Sequence, residues 1–181
     1  MTLTLNRRAF FARTATLGAG LAAASILPTL PARAAIPPSI VTLQQKSSGR
    51  FLDAWDDGSH DWFAVTRPAQ NNASQQWKIT WDDSGTGSGT IQQLSSGRFL
   101  DAHEIDNGLD FHMLTRPRQT FDQTQYWHVN SVGGGLYTLQ QASSGRYADA
   151  HEYAEKDWGV VTRPAQNNPT QQWVLKFLRN G

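Results

Sequence analysis

The sequence contains no cysteine in its 181 residues. This absence excludes disulfide bridges, a thiolate nucleophile and any metal site built on cysteine, so packing must supply the stability of the fold. The five histidines show no metal-ligand spacing such as His-Glu-x-x-His. We therefore expect neither a bound metal nor a cofactor.

Long apolar runs are also scarce. A membrane-spanning helix needs about 20 consecutive apolar residues, and no stretch after residue 34 approaches that length. The same part of the chain has no apolar pattern with helical spacing. The sequence thus predicts an all-β protein without a transmembrane segment.

Residues 1–34 have the pattern of an export signal. The pair Arg7-Arg8 precedes a small and apolar run from Ala15 to Leu27, and Ala32-Arg33-Ala34 has the small-x-small form of a cleavage site. The paired arginines resemble the twin-arginine signal of bacteria, and an ordinary general-secretion signal is the alternative. We predict a secreted or periplasmic protein whose mature part, residues 35–181, is one domain.

Removal of this signal changes the sign of the net charge. The four arginines in residues 1–34 are lost with no acidic residue, which leaves 12 basic against 15 acidic residues and a net charge near −3. Phosphate binding needs a basic surface. The composition therefore argues against nucleic acid as a partner.

The mature chain consists of three copies of one unit. A segment with the pattern Thr-Leu/Ile-Gln-Gln, then Ser-Ser-Gly-Arg, then Asp-Ala recurs at intervals of 48 residues. A Thr-Arg-Pro motif and a final Gln-x-Trp also recur in each copy. The repeats span about 39–86, 87–134 and 135–181.

Each unit is predicted to form four short strands, because β-forming residues alternate with Gly, Pro, Asn and Asp clusters. In the first copy we place them near Ile40–Gln45, Arg50–Ala54, Trp62–Thr66 and Gln75–Thr80. So small a unit cannot bury its own apolar face, and three copies are too few for a propeller of about four to eight blades. We expect twelve strands around one shared core. The first hairpin turn of each unit holds a glycine that can take a positive φ: Gly49, Gly97 and Gly145.

This pattern of three repeats, each with an aspartate after the second strand and a Gln-x-Trp near its end, resembles the ricin B-type β-trefoil lectins. The short units are similar to those of stand-alone bacterial trefoil lectins such as actinohivin. The resemblance covers nearly all of Ile40–Lys176. It implies a β-trefoil with pseudo-three-fold symmetry, in which three hairpins close one end of a six-stranded barrel and each unit has one potential sugar pocket.

A sugar site needs a carboxylate and amides for the hydroxyl groups, and an aromatic face for the apolar side of the ring. The resemblance implies that one aspartate per unit binds sugar, that a glutamine supports it from behind and that a tryptophan fills the core. Capping of a local turn is the alternative role for each aspartate. The aspartates are Asp53, Asp101 and Asp149, the glutamines are Gln75, Gln125 and Gln171, and the tryptophans are Trp77, Trp127 and Trp173.

The third strand departs from the family pattern, because Thr-Arg stands where a glutamine and a stacking aromatic usually precede the proline. Two sets of side chains could replace the missing aromatic. We favour the set in the loop beside each aspartate, namely Trp55, His103 and His151. The other set opens the third strand, where burial explains its aromatic character equally well, and consists of Trp62, Phe111 and Trp158.

The repeated arginines of the third strand could bind an acidic sugar, because a guanidinium pairs with a carboxylate or sulfate in a bidentate manner. They are Arg67, Arg116 and Arg163, and the alternative is an internal ion pair with an aspartate such as Asp61, Asp110 or Asp157. The asparagines of the following loop are expected to line the pocket in the first and third copies: Asn71, Asn72, Asn167 and Asn168. The middle copy lacks them and is one residue longer in this loop, so we expect the first and third pockets to be the stronger ones.

We interpret the chain as a secreted lectin with up to three sugar pockets, whose partner is a carbohydrate or glycoconjugate bound multivalently. Because the chain begins with its own signal and ends just after the third copy, we expect a stand-alone binder. Catalysis is disfavoured, since it needs carboxylates with pKa values pushed apart and the acidic loop residues differ between the copies. The alternative function is a protein-binding trefoil of the protease-inhibitor or host-ligand type, which would use one loop unique to a single copy.

Overall fold

The computed structural model describes residues 36–82, 86–104 and 110–181. The predicted export signal, residues 1–34, lies outside these ranges and stays a prediction. Across the described ranges, the chain has no helix with the length and apolar character needed to cross a membrane.

The described residues form twelve strands, four in each repeat, which confirms the all-β prediction. The first repeat contains β1 (Ser39–Gln45), β2 (Phe51–Ala54), β3 (Ala64–Arg67) and β4 (Trp77–Trp81). The second contains β5 (Ser88–Gln93), β6 (Phe99–Ala102), β7 (Phe111–Arg116) and β8 (Tyr126–Gly133). The third contains β9 (Leu136–Gln141), β10 (Tyr147–Ala150), β11 (Val160–Arg163) and β12 (Trp173–Asn180). Short 3₁₀ turns lie at Gly58–His60, Ala73–Gln75, Gln123–Gln125, Ala154–Lys156 and Pro169–Gln171.

The strand pairing confirms a β-trefoil. Antiparallel ladders join β1 to β4, β4 to β5, β5 to β8, β8 to β9, β9 to β12 and β12 back to β1, which closes a six-stranded barrel. The remaining strands form three hairpins, β2–β3, β6–β7 and β10–β11. Gly49, Gly97 and Gly145 have φ values of 69°, 70° and 68° in the turns that lead into these hairpins.

Two strands of the first repeat begin two residues later than predicted. The third strand begins at Ala64, because Asp61 and Trp62 have φ values of 50° and 56° and therefore belong to a left-handed turn. The fourth begins at Trp77, because Gln75 closes the preceding 3₁₀ turn.

The core is filled by one tryptophan from each repeat. Trp77, Trp127 and Trp173 are fully buried, and each indole N–H donates to a backbone carbonyl of its own repeat, at 3.0 Å to Leu52, 3.1 Å to Leu100 and 3.2 Å to Ala148. A buried indole needs such an acceptor. The three rings thus combine large apolar area with satisfied polar groups.

A buried glutamine at the end of each first strand joins neighbouring repeats. Gln93 Nε2 donates to the carbonyls of Ala54 at 3.2 Å and Ser74 at 3.0 Å, both in the first repeat. Its Oε1 accepts from Ser96 at 2.6 Å. Gln141 makes the same bonds to the second repeat, and Gln45 makes them to the third. Each repeat therefore supplies hydrogen bonds that complete the one before it.

We expect Gln93→Leu to lower the free energy of unfolding by about 2–4 kcal/mol, because it removes donors from two largely buried carbonyls at a cost of about 1–3 kcal/mol each. The matched control is Gln92→Leu, since the neighbouring Gln92 is only half-buried and bonds within its own turn. Urea unfolding followed by tryptophan fluorescence measures both. Equal losses in the two variants would contradict the role given to Gln93.

Candidate functional site

The three aspartates predicted to bind sugar occupy equivalent places, at the penultimate residue of β2, β6 and β10. Asp53, Asp101 and Asp149 are each 0% exposed. Their carboxylates therefore lie beneath the surface of the repeat, and any ligand would meet the side chains above them first.

Two of the aspartates are held by a pair of hydrogen bonds. Asp53 Oδ1 accepts from the backbone N–H of Ala54 at 2.8 Å, and its Oδ2 accepts from Gln75 Nε2 at 3.2 Å. Asp101 makes the equivalent bonds at 2.7 and 3.3 Å, the second from Gln125. Such donors offset the cost of removing a carboxylate from water. In these two repeats the glutamine lies behind the aspartate.

The third aspartate lacks both bonds. Among the described residues, neither oxygen of Asp149 has a hydrogen-bond partner, and Gln171 Nε2 donates to the carbonyl of Pro164 at 2.9 Å. Arg163 Nη1 lies 3.6 Å from Asp149 Oδ2. The third carboxylate is thus compensated mainly by the arginine of β11.

In the first repeat the arginine of β3 lies against both the buried aspartate and the favoured aromatic. Arg67 Nη1 is 3.8 Å from Asp53 Oδ2, and the guanidinium carbon is 4.0 Å from the centre of the Trp55 ring. Arg67 Nη2 is buried and has no hydrogen-bond acceptor among the described residues. The first repeat therefore keeps a guanidinium with unused hydrogen-bonding capacity.

The other face of Trp55 is covered by His60. The two ring centres are 3.8 Å apart and the rings are parallel within 8°. His60 Nδ1 lies 2.8 Å from Asp57 Oδ1, and hydrogen bonds from Ser59 and His60 lower the pKa of Asp57 to about 2. Both faces of the indole are thus occupied, one by the β3 arginine and one by a histidine on an exposed 3₁₀ turn.

These side chains border an open cleft of about 380 Å³, which we call the first pocket. Asn72 forms part of its wall, where its side chain donates to Gln70 at 3.1 Å and accepts from Ser74 at 2.8 Å. The lining residues are Ala54, Trp55, Asp56, Asp57, Arg67, Gln70, Asn72, Ala73, Ser74 and Ser95. The structure therefore brings Asp53, Trp55, Arg67 and Asn72 to one place.

Asn71 lies apart from this group. It has a φ of 53° and lines a separate groove on the other side of the loop, together with Phe51 and Gln75. In the third repeat, Asn167 has the same φ of 53°, and Asn168 bonds to Gln166 and Thr170 as Asn72 bonds to its own neighbours. In the first repeat, therefore, Asn72 lines the first pocket and Asn71 does not.

The second repeat has a different arrangement. Arg116 Nη2 lies 3.2 Å from His103 Nδ1, so the arginine contacts the residue of the favoured aromatic set here too. In the longer loop, Phe121 takes the left-handed conformation that Asn71 has in the first repeat, with a φ of 64°, and is 88% exposed. Arg118 extends back to donate to the hydroxyl of Tyr126 at 3.0 Å.

In the third repeat the arginine is engaged by an aspartate from the second repeat. Arg163 Nε and Nη2 donate to the two oxygens of Asp110 at 2.5 and 2.6 Å. The sequence offered Asp110 as a nearby partner for one of the arginines, whereas the structure pairs it with the arginine of the following repeat. These bonds lower the pKa of Asp110 and raise the pKa of Arg163. His151 is 7% exposed and lies 3.5 Å from Asp110, and burial lowers its pKa. In this repeat the charge of the arginine is therefore already shared between two carboxylates, Asp110 and Asp149.

The second aromatic set takes part in contacts between repeats. Each ring has the guanidinium of a different repeat over it, at 3.9 Å for Arg50 over Trp158 and 4.0 Å for Arg98 over Trp62 and for Arg146 over Phe111. The same arginines donate to the carbonyls of Thr66, Thr115 and Thr162. Sequence reasoning missed these arginines, although the Ser-Ser-Gly-Arg repeat contains them.

No group of three or more His, Cys, Asp or Glu side chains within the described ranges could hold a metal ion. The first pocket offers groups for hydrogen bonding and ring contact: one guanidinium, two exposed carboxylates and several amides around an indole.

Comparison with known proteins agrees with the fold. The family model described as ricin-type beta-trefoil lectin domain-like matches residues 34–113 and 123–181. No curated protein matches the chain.

Three solved structures illustrate the similarity. The designed 3-fold symmetric protein ThreeFoil is 23% identical, with 77% of this chain and 99% of that chain covered and a TM-score of 0.67. The exo-beta-1,3-galactanase from Clostridium thermocellum is 22% identical, with 77% and 30% covered and a TM-score of 0.65. The Rhizoctonia solani agglutinin is 16% identical, with 81% and 100% covered and a TM-score of 0.65. At these identities the likeness shows the β-trefoil fold.

We expect Asp110→Asn to destabilise the protein by about 1–2 kcal/mol at pH 7, because it breaks a bidentate but partly exposed ion pair. The lowered pKa of Asp110 means that its contribution is present above the ordinary aspartate pKa of about 3.9 and is lost as pH falls through the folded-state pKa. Urea unfolding of both proteins at pH 7, 4 and 2.5 should show the difference shrinking toward zero. A difference that stays constant over this range would rule out the ion pair as its cause.

Proposed function

The chain belongs to the family of ricin-type β-trefoil lectin-like domains, and on this premise we propose that it is a secreted lectin with up to three sugar pockets, one in each repeat. Membership of this family supports carbohydrate binding in general. Export is supported by the signal pattern of residues 1–34, and the number of pockets by the threefold repetition of the aspartate and arginine motifs.

The observation that carries the proposal is the first pocket. Its polar groups converge on one open cleft, where Arg67 lies over the buried Asp53 and beside Trp55. A sugar needs donors and acceptors for its hydroxyl groups and an apolar surface for its C–H groups. The cleft offers the guanidinium as donor, Asp56 and Asp57 as acceptors, and the indole as apolar surface.

Asp53 would act through Arg67 in this arrangement. Because the carboxylate is fully buried, it cannot meet a ligand directly while the arginine covers it. Its charge orients the guanidinium, whose remaining N–H groups would donate to sugar hydroxyls. The aspartate is thus a positioning residue in this proposal.

Stacking of a sugar on Trp55 requires that one face of the indole be opened. His60 is the better candidate to move, because it belongs to an exposed 3₁₀ turn, whereas Arg67 is anchored at a strand end beside a buried carboxylate. We propose that the sugar ring takes the place of His60 on the indole.

An acidic sugar would bind at the first repeat in preference to the third. Arg163 already shares its charge with Asp110 and Asp149, so a carboxylate there would compete with a formed bidentate pair. Among the described residues, Arg67 has only one carboxylate oxygen within 4 Å, that of Asp53 at 3.8 Å. For an acidic sugar we therefore place the first pocket before the third, although the sequence grouped these two as the stronger pockets.

We propose binding without catalysis. The acidic side chains that a glycosidase would need lie in loops that differ between the repeats, and Asp57 is held as an ionised acceptor by Ser59 and His60, with its pKa near 2. A general acid requires the opposite environment, one that raises the pKa. Although one structural neighbour is a galactanase, this chain covers only 30% of that protein.

We expect Trp55→Ala and Arg67→Met each to weaken binding to the best ligand of a glycan array by about tenfold or more, which corresponds to about 1.4 kcal/mol. His60→Ala should bind as tightly as the parent or more tightly, because it frees the indole face. The matched control is Arg163→Met, for which we expect a smaller loss. Isothermal titration of each folded variant gives the affinities.

Either of two results would overturn the proposal. If the parent bound no glycan, acidic ones included, the lectin function would fail. If glycans bound and both first-repeat variants kept full affinity, the first pocket would not be the site.

A protein-binding trefoil is the second candidate, and Phe121 favours it. This aromatic is 88% exposed in a loop that is one residue longer in the middle repeat and has asparagines in the other two, and exposed aromatics are common anchors of protein interfaces. Phe121→Ser should leave glycan affinity unchanged if the lectin proposal is right. If Phe121→Ser instead abolished binding to a protein partner that Trp55→Ala and Arg67→Met still bound, the result would support the protein-binding function.

A further inference from the structure

A second cleft, of about 330 Å³, adjoins the first repeat and belongs to none of the aspartate pockets. We call it the side groove. Its lining residues are Thr42, Gln44, Phe51, Ala69, Asn71, Asn72, Gln75, Gln76, Val174, Lys176 and Leu178. They come from β1, β2 and β12 and from the loop between β3 and β4, so the two chain ends of the domain meet here.

The floor of the side groove is apolar. In the β1–β12 ladder Gln44 pairs with Val174, and Leu178 is the extra residue at a bulge opposite Ile40 and Val41. Val174 and Leu178 are 37% and 36% exposed. Val174, Lys176 and Leu178 are two residues apart along β12 and therefore share one face of the strand, so two aliphatic side chains line the groove together with Phe51.

The rim of the side groove carries unused hydrogen-bonding groups. Among the described residues, the side chains of Asn71 and Thr42 have no hydrogen-bond partner, and Gln44 uses only its amide nitrogen, which donates to Gly49 at 2.7 Å. Of the described residues that line the groove, Lys176 is the only charged one, and none carries a carboxylate. The groove thus combines an apolar floor with neutral donors and acceptors.

In the middle repeat, the place equivalent to the side groove is filled. Ala69 corresponds to Arg118, which extends over Phe99 and Tyr126 with 5.2 Å from its guanidinium carbon to each ring centre. The small side chain of Ala69 is therefore what leaves the first groove open.

The third repeat has Ala165 but a polar floor. His128 pairs with Gln140, as Val174 pairs with Gln44, and its ring is hydrogen bonded to Ser88. Among the described residues, therefore, the first repeat alone combines a small loop residue with an aliphatic floor.

The side groove and the first pocket meet at Asn72, which lines both. A ligand that lay over the loop could thus occupy the two clefts together. An extended peptide is poorly suited to the groove, because β1 and β12 are each paired on both sides and offer no free strand edge. A sugar chain, with alternating hydroxyl edges and C–H faces, matches an apolar floor with an amide rim.

We propose that the side groove is a second subsite that holds the neighbouring units of an oligosaccharide whose terminal sugar lies in the first pocket. This inference rests on the proposed function, and it makes the first repeat an extended site. The other two repeats would bind single sugar units.

The test compares the oligosaccharide that binds best on a glycan array with the monosaccharide at its terminus, by isothermal titration. For the parent protein we expect the oligosaccharide to bind about tenfold or more tightly than the monosaccharide. Ala69→Arg, which copies Arg118 of the middle repeat, should bring the two affinities together by weakening only the oligosaccharide. Ala165→Arg, the matched change in the third repeat, should leave the parent's difference intact.

A second pair of variants covers the case in which the arginine disturbs folding. Asn71→Gly keeps a residue that accepts the φ of 53° while removing the amide, and Asn167→Gly is its control. We expect the first to reduce the preference for the oligosaccharide by at least about threefold and the second to leave it unchanged.

The outcomes separate the two proposals. If no glycan binds, the proposed function is wrong, and so is the proposal that the side groove is a subsite. If glycans bind but the parent shows no preference for the longer ligand, or if Ala69→Arg weakens both ligands equally, only the subsite is wrong. Equal effects of Ala69→Arg and Ala165→Arg would also overturn it.

Discussion

The buried glutamine at the end of each first strand is the interaction on which the rest of the structure depends. Gln93 donates to the carbonyl of Ala54, directly after Asp53, and to that of Ser74, directly before Gln75. It therefore holds the two chain segments that form the bottom of the first pocket. Because the same bonds recur around the ring, each pocket is shaped partly by the following repeat, and no repeat is complete on its own.

Much of the fold could be predicted from the sequence because it follows from local rules. The 48-residue period, the glycines of the hairpin turns and the Gln-x-Trp motifs each report on their own segment, and together they indicate a threefold barrel. The candidate site was harder. Which side chain lies over Asp53 depends on side-chain direction at the end of β3, and the partner of Arg163 comes from another repeat, 53 residues away. Neither relation has a spacing that a single sequence displays.

The three repeats show how one motif produces three electrostatic environments. Arg67 contacts an indole and a carboxylate oxygen 3.8 Å away, Arg116 contacts a histidine ring nitrogen, and Arg163 forms a bidentate ion pair. The motif fixes only the backbone position of the arginine. The loops decide its partner, and they differ in length and charge, so sequence repetition does not imply equal pockets.

This inequality bears on how the protein would gain affinity. A symmetric trefoil gains it by engaging three branches at once, which demands that the ligand present them at the right distances. An extended site gains it from adjacent units of one chain, because each added unit meets a surface that is already in place. The aliphatic face of β12 at Val174 and Leu178 and the small side chain at Ala69 both favour the second route in the first repeat. Since β12 forms this floor and pairs directly with β1, closure of the barrel by the two ends of the domain would itself create the extended site.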